Sequence, residues 1–233
     1  MSGENTANKT TGNLYVVATP IGNLEDITFR ALRILREVAA IACEDTRQTI
    51  KLLNNYNLRK KLLSYYHPRE KQKIPRIINL LKEGKDVALV SDAGTPGLSD
   101  PGYPLIREAI KEGIKIIPIP GASALTAALA ASGLPTHRFL FFGFAPTKKE
   151  ATKKLLHSLQ DEKATLVFYL PPRKTVSFLK LIREVLGNRQ VVIAREMTKI
   201  YEEFLRGPAD DLIERWEEQK AKGEATVLIQ GSE

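Results

Sequence analysis

Between Leu14 and Gln230, short runs rich in Val, Ile, Leu and Phe alternate with longer stretches whose apolar residues recur at helical spacing. A chain that repeats strand and helix in this way can bury both only by laying helices against sheets, so the pattern dictates α/β layering. Strands are expected over 14–18, 40–43, 86–90, 115–119, 139–144, 164–169, 190–196 and 225–230. Helices are expected near 27–38, 47–54, 73–83, 123–132, 148–158, 174–186 and 209–219, with one more short helix between the third and fourth strands. Asp26 or Thr28 is placed to cap the first helix, Pro75 falls in the first turn of the third, and Gly84 and Gly133 close helices. A stretch of polar then apolar residues falls near 202–205. The character of the chain changes after Pro135, so two lobes are expected, 13–135 and 136–233, behind a polar, disordered tail over 1–12.

With 43% hydrophobic and 27% charged residues in 233, the chain can bury a real core. It contains no run of about 18 uncharged apolar residues that would span a membrane. Residues 1–12 lack the apolar core of a secretory signal, and a cytoplasmic location is expected. Cys43 is the only cysteine, and no Cys/His cluster offers a zinc site, so no metal is expected. A net charge of +8 favours an anionic partner. The cations cluster at Arg59-Lys60-Lys61, at Arg69, Lys71, Lys73 and Arg76, at Lys148-Lys149 with Lys153-Lys154, and at Arg173-Lys174. Each is a solvated helix face or part of a phosphate-binding surface.

Three loops stand out. Ser91-Asp92-Ala93-Gly94-Thr95-Pro96-Gly97-Leu98-Ser99-Asp100-Pro101-Gly102 follows a strand directly, and its three glycines and two prolines fix a backbone that no regular element adopts. Ligands of open α/β sheets bind beyond the carboxyl ends of strands, where this loop must sit. Ala18-Thr19-Pro20-Ile21-Gly22-Asn23 and Pro118-Ile119-Pro120-Gly121-Ala122-Ser123-Ala124 likewise turn from a strand into a helix start, whose free N–H groups favour anionic groups such as a carboxylate. Neither carries the Gly-Lys-Ser/Thr of a nucleoside-triphosphate loop or the Gly-x-Gly-x-x-Gly of a dinucleotide fold, which argues against triphosphate hydrolysis and hydride transfer.

These loops, with Cys43-Glu44-Asp45-Thr46-Arg47-Gln48-Thr49 and Ala194-Arg195-Glu196-Met197-Thr198-Lys199, closely resemble the small-subunit ribosomal RNA methyltransferases of the tetrapyrrole methylase superfamily over about residues 13–231. The resemblance implies two α/β lobes with S-adenosylmethionine in the cleft between them, a homodimer, and 2′-O-methylation of a cytidine in the decoding region of 16S ribosomal RNA. It assigns cofactor contacts to Pro20 and Ile21, to Asp92, Gly94, Thr95 and Leu98, to Ser123 and Ala124, and to Tyr169 or Leu170, Ala194 and Thr226. Thr95 stands where many relatives have Asp, and Asp92 is placed to substitute for the missing carboxylate. Many relatives also carry a small helical extension after the last strand, so the basic clusters are expected to hold more of the RNA here.

For the methyl acceptor the candidates are Glu44, Asp45, Arg47, His67, Arg195 and Lys199. Glu44, Asp45 and Arg47 sit at a strand end and helix start, where they serve either as N-capping carboxylates with an internal ion pair or as groups facing the acceptor. His67 and Glu70 lie in a basic and aromatic segment of the kind that contacts nucleic acid, although Pro68-Arg69 departs from the relatives' pattern. Arg195, Glu196 and Lys199 either pair among themselves or serve the site. Two other functions compete: a sister methylase acting on a tetrapyrrole or a modified protein side chain, and a non-catalytic RNA-binding module on the same fold.

Overall fold

Alternate residues along the first strands point to opposite faces, and each face has its own pair of helices. The computed structural model describes residues 11–66, 70–217 and 223–232. The chain divides into two compact units, Met1–Ser123 and Ala124–Glu233. In the first, β1 (Leu14–Val17), β2 (Ala40–Cys43), β3 (Lys61–Ser64), β4 (Val87–Val90) and β5 (Ile116–Ile119) form a parallel sheet in the order β3-β2-β4-β1-β5. Ile41, Cys43, Ala88 and Val90 bury against Ala31, Ile34 and Leu35 of α1 (Phe29–Glu37) and Leu53 of α2 (Thr46–Asn55). Their neighbours Ala40, Ala42, Val87 and Leu89 bury against Ile77, Ile78 and Leu81 of α3 (Glu70–Lys82) and Leu105 and Ala109 of α4 (Tyr103–Lys111). Right-handed crossovers require this split, because α1 and α2 follow moves toward β3 and α3 and α4 follow moves back. The chain therefore leaves the adjacent strands β1 and β4 toward opposite faces, which makes their carboxyl ends a switch point of the kind that binds ligands.

The second unit is a mixed sheet, β6-β7-β10-β8-β9, of β6 (Phe139–Phe144), β7 (Thr165–Leu170), β8 (Gln190–Arg195), β9 (Glu203–Pro208) and β10 (Ala225–Ile229). Only β6 and β7 pair in parallel; the other three pairings are antiparallel. One face carries α6 (Lys149–His157), α7 (Thr175–Leu186) and α8 (Ala209–Glu217), packed over Leu166, Phe168, Leu170, Ile193 and Val227. Against the same sheet, at β8 and β10, packs α5 (Ala124–Ser132).

Several elements differ from expectation. The division at Ser123 and Ala124 precedes the expected lobe boundary because α5 belongs with the second sheet. The guanidinium of Arg206 on β9 caps its last turn, donating to the carbonyls of Ala131 at 2.7 Å and Ser132 at 3.2 Å, where the helix dipole favours a cation. β3 was hidden by its basic start: Leu63 is its buried residue, as suits a charged edge strand. Lys60, read as part of a surface cluster, instead donates to the Val38 carbonyl at 2.7 Å beyond α1. Residues 203–205 of the 202–205 stretch open β9 (Glu203–Pro208). α3 begins at Glu70, which moves Pro75 from the first turn into the second. Thr28, not Asp26, caps α1, accepting the Ala31 N–H at 3.0 Å. The tail expected over 1–12 lies outside the described residues up to 10; Gly12 is buried and donates its N–H to Leu81 at 2.8 Å.

Candidate active site

The loops that follow β1, β2, β4 and β5 are tied to one another at the carboxyl end of the first sheet. Thr19 and Gly94 exchange backbone hydrogen bonds of 2.9 and 3.0 Å, an antiparallel bridge between the loops after β1 and β4. The buried Thr19 hydroxyl donates to the Ser91 carbonyl at 3.2 Å, and the Ser91 hydroxyl donates to Ala93 at 3.2 Å. The loop after β5 joins through Thr95 Oγ1, which donates to the Ala122 carbonyl at 3.5 Å. The loop after β2 joins through the Asp45 N–H, which donates to Asp92 Oδ1 at 3.0 Å. Pro20, Ile21, Asp92, Gly94, Thr95 and Leu98 are therefore brought to one edge, with Ser123 ending the loop after β5 and Ala124 opening α5. Gly94 has φ +78°, and a Cβ there would stand 3.5 Å from Ile21 Cγ2 and 3.9 Å from the Ala122 oxygen. Gly94 thus faces Ile21 and the third loop, in a conformation that L residues disfavour.

Asp92 has one oxygen occupied by Asp45, so the carboxylate expected to replace the one missing at Thr95 also fixes the backbone of the neighbouring loop. Asp45 caps α2: it accepts the Arg47 N–H at 2.8 Å and pairs with the Arg47 guanidinium at 2.7 Å. The capping role and internal ion pair left open by the sequence are both present, and Arg47 holds the Asp45 carboxyl down at about 2. Glu44 differs. Burial raises its pKa, and the carboxylates of Asp92, Asp100 and Asp45 raise it further. Burial also raises Asp92, against the N–H of Asp45 that lowers it. His67 lies outside the described residues, as do Pro68 and Arg69.

In the second unit Tyr169, Thr226 and Ala194 lie directly opposite one another on β7, β10 and β8, forming one cross-strand row. Phe144 continues that row beyond Tyr169, and Phe204 continues it beyond Ala194. Leu170, the alternative to Tyr169, is 3% exposed in the core under the three helices, so the row's face belongs to Tyr169. Arg195 Nη1 stands 3.4 Å from Glu203 Oε2. Lys199 bridges Glu196 at 2.9 Å and Glu224 at 3.1 Å. Burial opposes the charge on Glu196, but Lys199, the Glu224 N–H and Arg195 outweigh it and hold the carboxyl below the usual range. Glu196 and Thr198 both have positive φ, 48° and 67°, strain tolerated in non-glycine residues only where surroundings enforce it.

Sequence reasoning missed residues that shape both units near the candidate site. Gly223 is one: a Cβ there would fall 2.1 Å from Glu196 Oε1, so Glu196 reaches its partners only over a glycine. Tyr65 is another, 1% exposed, with its hydroxyl accepting the Leu105 N–H at 3.2 Å in the first turn of α4. Gly102 at that N-cap has no side chain to do so. Thr19 and Tyr65 carry no signal in a single sequence, since their partners are 72 and 40 residues away.

A family described as Tetrapyrrole (Corrin/Porphyrin) Methylases matches residues 13–213. The ribosomal RNA small subunit methyltransferase I of Thermotoga maritima is 51% identical, over 95% of this chain and 100% of its own length. The chain belongs to the tetrapyrrole methylases. The proteins of the same name from Halalkalibacterium halodurans and Bacillus subtilis are 51% and 43% identical, each over 95% of this chain and 76% of its own. Among solved structures the methyltransferase CobJ has a TM-score of 0.71 at 23% identity, covering 95% of both chains. Diphthine synthase has a TM-score of 0.73 at 17% identity, covering 94% of this chain and 90% of its own. These two establish the fold. As a tetrapyrrole methylase the chain is a methyltransferase, and its methyl donor is S-adenosylmethionine. The residues present suit that donor: the stitched loops offer hydroxyls, backbone groups and the Asp92 carboxylate around a glycine that keeps side-chain bulk away from Ile21.

Proposed function

We propose that this methylase acts on the 2′ hydroxyl of a cytidine in the decoding region of 16S ribosomal RNA, within the small ribosomal subunit of the cytoplasm. What carries the ribosomal RNA substrate is the name shared by relatives 41–51% identical over most of the chain, ribosomal RNA small subunit methyltransferase I; the cytidine 2′ hydroxyl rests on the resemblance of the sequence motifs. The net charge of +8 supports an RNA partner, and no helix among the described residues is long and apolar enough to cross a membrane. A homodimer is part of the proposal, and the exposed Leu24, Phe29 and Ile50 of the first unit offer it apolar surface.

S-adenosylmethionine, when bound, supplies a methyl group made electrophilic by its sulfonium. A ribose hydroxyl is a weak nucleophile, so the protein's task is to align it and take up its proton. Pro20, Ile21, Asp92, Gly94, Thr95, Leu98, Ser123 and Ala124 are the proposed donor-binding residues, and Tyr169, Thr226 and Ala194 the proposed flank of adenine and ribose. Glu44 is the proposed proton acceptor, because burial and three neighbouring carboxylates make it more basic than an ordinary glutamate. Asp45 orients Arg47, and Arg47, Arg195 and Lys199 are proposed to face flanking phosphates or the developing alkoxide.

Labelled methyl transfer to small subunits from a strain lacking this modification tests the function. Label is expected in 16S RNA at one 2′-O-methylcytidine, and its absence from the RNA refutes the proposal. Alanine at Glu44, Arg47 or Lys199 is expected to lower turnover at least about tenfold, roughly 1.4 kcal/mol, with donor affinity nearly unchanged.

A further inference from the structure

β6 and β7 run parallel as neighbours, so the segments that leave their carboxyl ends emerge side by side. One carries Lys148 and Lys149, both exposed; the other carries Arg173, exposed, and Lys174, half-buried. α6 and α7, which these segments open, pack against each other. Glu150 in the first turn of α6 is the nearby acidic group on that helix, while Glu184 of α7 is taken by Lys153 at 2.6 Å. Lys148 and Lys174 also occupy N-cap positions without a side-chain cap, where a cation opposes the helix dipole. Local rules broken at paired positions are a mark of function.

The aromatic beside these cations has been turned outward by a backbone irregularity. Phe141 and Phe144 are three apart and would face opposite sides of a regular strand. The register of β6 on β7 shifts between them, where Gly143 takes φ +65°. Both rings therefore meet Tyr169 edge-on, at 4.9 and 5.7 Å between centroids, and Phe144 is left 62% exposed. Bulges re-aim side chains in this way next to binding sites.

We propose that this edge of the second unit binds single-stranded RNA, with Lys148, Lys149, Arg173 and Lys174 holding phosphates and Phe144 stacking on an unpaired base. Interleaved cations and an exposed, braced aromatic suit a single strand, whose bases are free to stack. The proposal rests on the RNA function above and adds where, and in what form, the RNA is held.

The test is fluorescence anisotropy of the full chain with a labelled mixed-sequence oligoribonucleotide, single-stranded and then annealed to its complement, across a salt series. The K148A/K149A and R173A/K174A pairs are each expected to flatten the plot of log affinity against log salt by about 1.4 units, at about 0.7 per contact. F144A is expected to weaken the single strand at least about fivefold without altering the slope, and to leave the duplex unchanged. The unfolding midpoint is measured alongside, so that a folding defect is recognised; F144L is the second variant, and should show an intermediate loss. Both charge pairs with wild-type slopes, or F144A with wild-type affinity, overturn the proposal. If wild-type protein methylates small subunits while these variants bind as wild type, only this surface is wrong. If it transfers no methyl to them, the RNA function itself falls.

Discussion

Replacing Gly94 separates backbone strain from loss of the donor site. With φ at +78°, any L side chain there costs about 1–2 kcal/mol in the left-handed region. The Cβ of alanine would sit 3.5 Å from Ile21 Cγ2, an ordinary van der Waals contact, so Gly94→Ala adds strain but displaces nothing. Valine adds two methyl groups beyond that Cβ. They must push Ile21 or the Ala122 carbonyl aside, or the backbone must leave its conformation and break the pair of bonds to Thr19. Those two bonds are together worth about 1–3 kcal/mol, at about 0.5–1.5 each. The first route displaces the loop after β1 or that after β5, and the second parts the loops after β1 and β4. In titration calorimetry with S-adenosylmethionine in chelated, metal-free buffer, Gly94→Ala should bind within about threefold of wild type, whereas Gly94→Val should lose at least about tenfold, or 1.4 kcal/mol. A folded valine variant with wild-type affinity would refute the placement of the donor on these loops.

Two further outcomes follow from the same edge. Carboxyl carbon shifts followed by NMR should show Asp45 titrating near about 2 and Glu44 above the ordinary glutamate range, and Arg47→Ala should return Asp45 toward the usual aspartate value. The signs are opposite: Asp45 contributes stability that is present above its unfolded pKa and lost as pH falls toward about 2, whereas the penalty on ionised Glu44 is relieved as pH falls through its raised value; a Glu44 that titrates as an ordinary glutamate removes the case for it as proton acceptor. Tyr65→Phe deletes the acceptor of the Leu105 N–H and should cost about 1–3 kcal/mol, read as a lower denaturation midpoint in calorimetry; an unchanged midpoint means that another group takes over the cap.

Most strands and helices were legible because burial on one face leaves a periodic record. Ile41 and Cys43 against one helix pair, with Ala40 and Ala42 against the other, make β2 apolar throughout, and such a run cannot be missed. β3 and β9 escaped because edge strands record burial weakly: β3 opens on Lys61, and β9 has no fully buried residue. The helix α5 was legible as a helix but not as a member of the second unit. Its alanines suit close approach to either sheet, and the choice is made by β8, β10 and by Arg206, 74 residues from Ser132.

The site divides along the same physical line. Gly94, Thr95, Asp45 and Asp92 announce themselves because a loop of forced conformations needs glycine, proline and capping residues at fixed places. What holds those loops to each other is a set of long-range contacts, Thr19 to Ser91, Asp45 to Asp92 and Tyr65 to Leu105, for which one sequence offers no periodicity. The 196–202 segment shows the consequence for Lys199. The sequence left it either pairing with its neighbours or serving the site; it bridges Glu196 and Glu224, in a segment with two residues at positive φ. Its removal therefore acts on the shape of that segment as well as on any charge it offers to RNA. Lys199→Arg keeps the charge but alters the bridge, so turnover retained in the arginine variant and lost in the alanine variant would assign the effect to charge, while equal loss in both would assign it to the bridge.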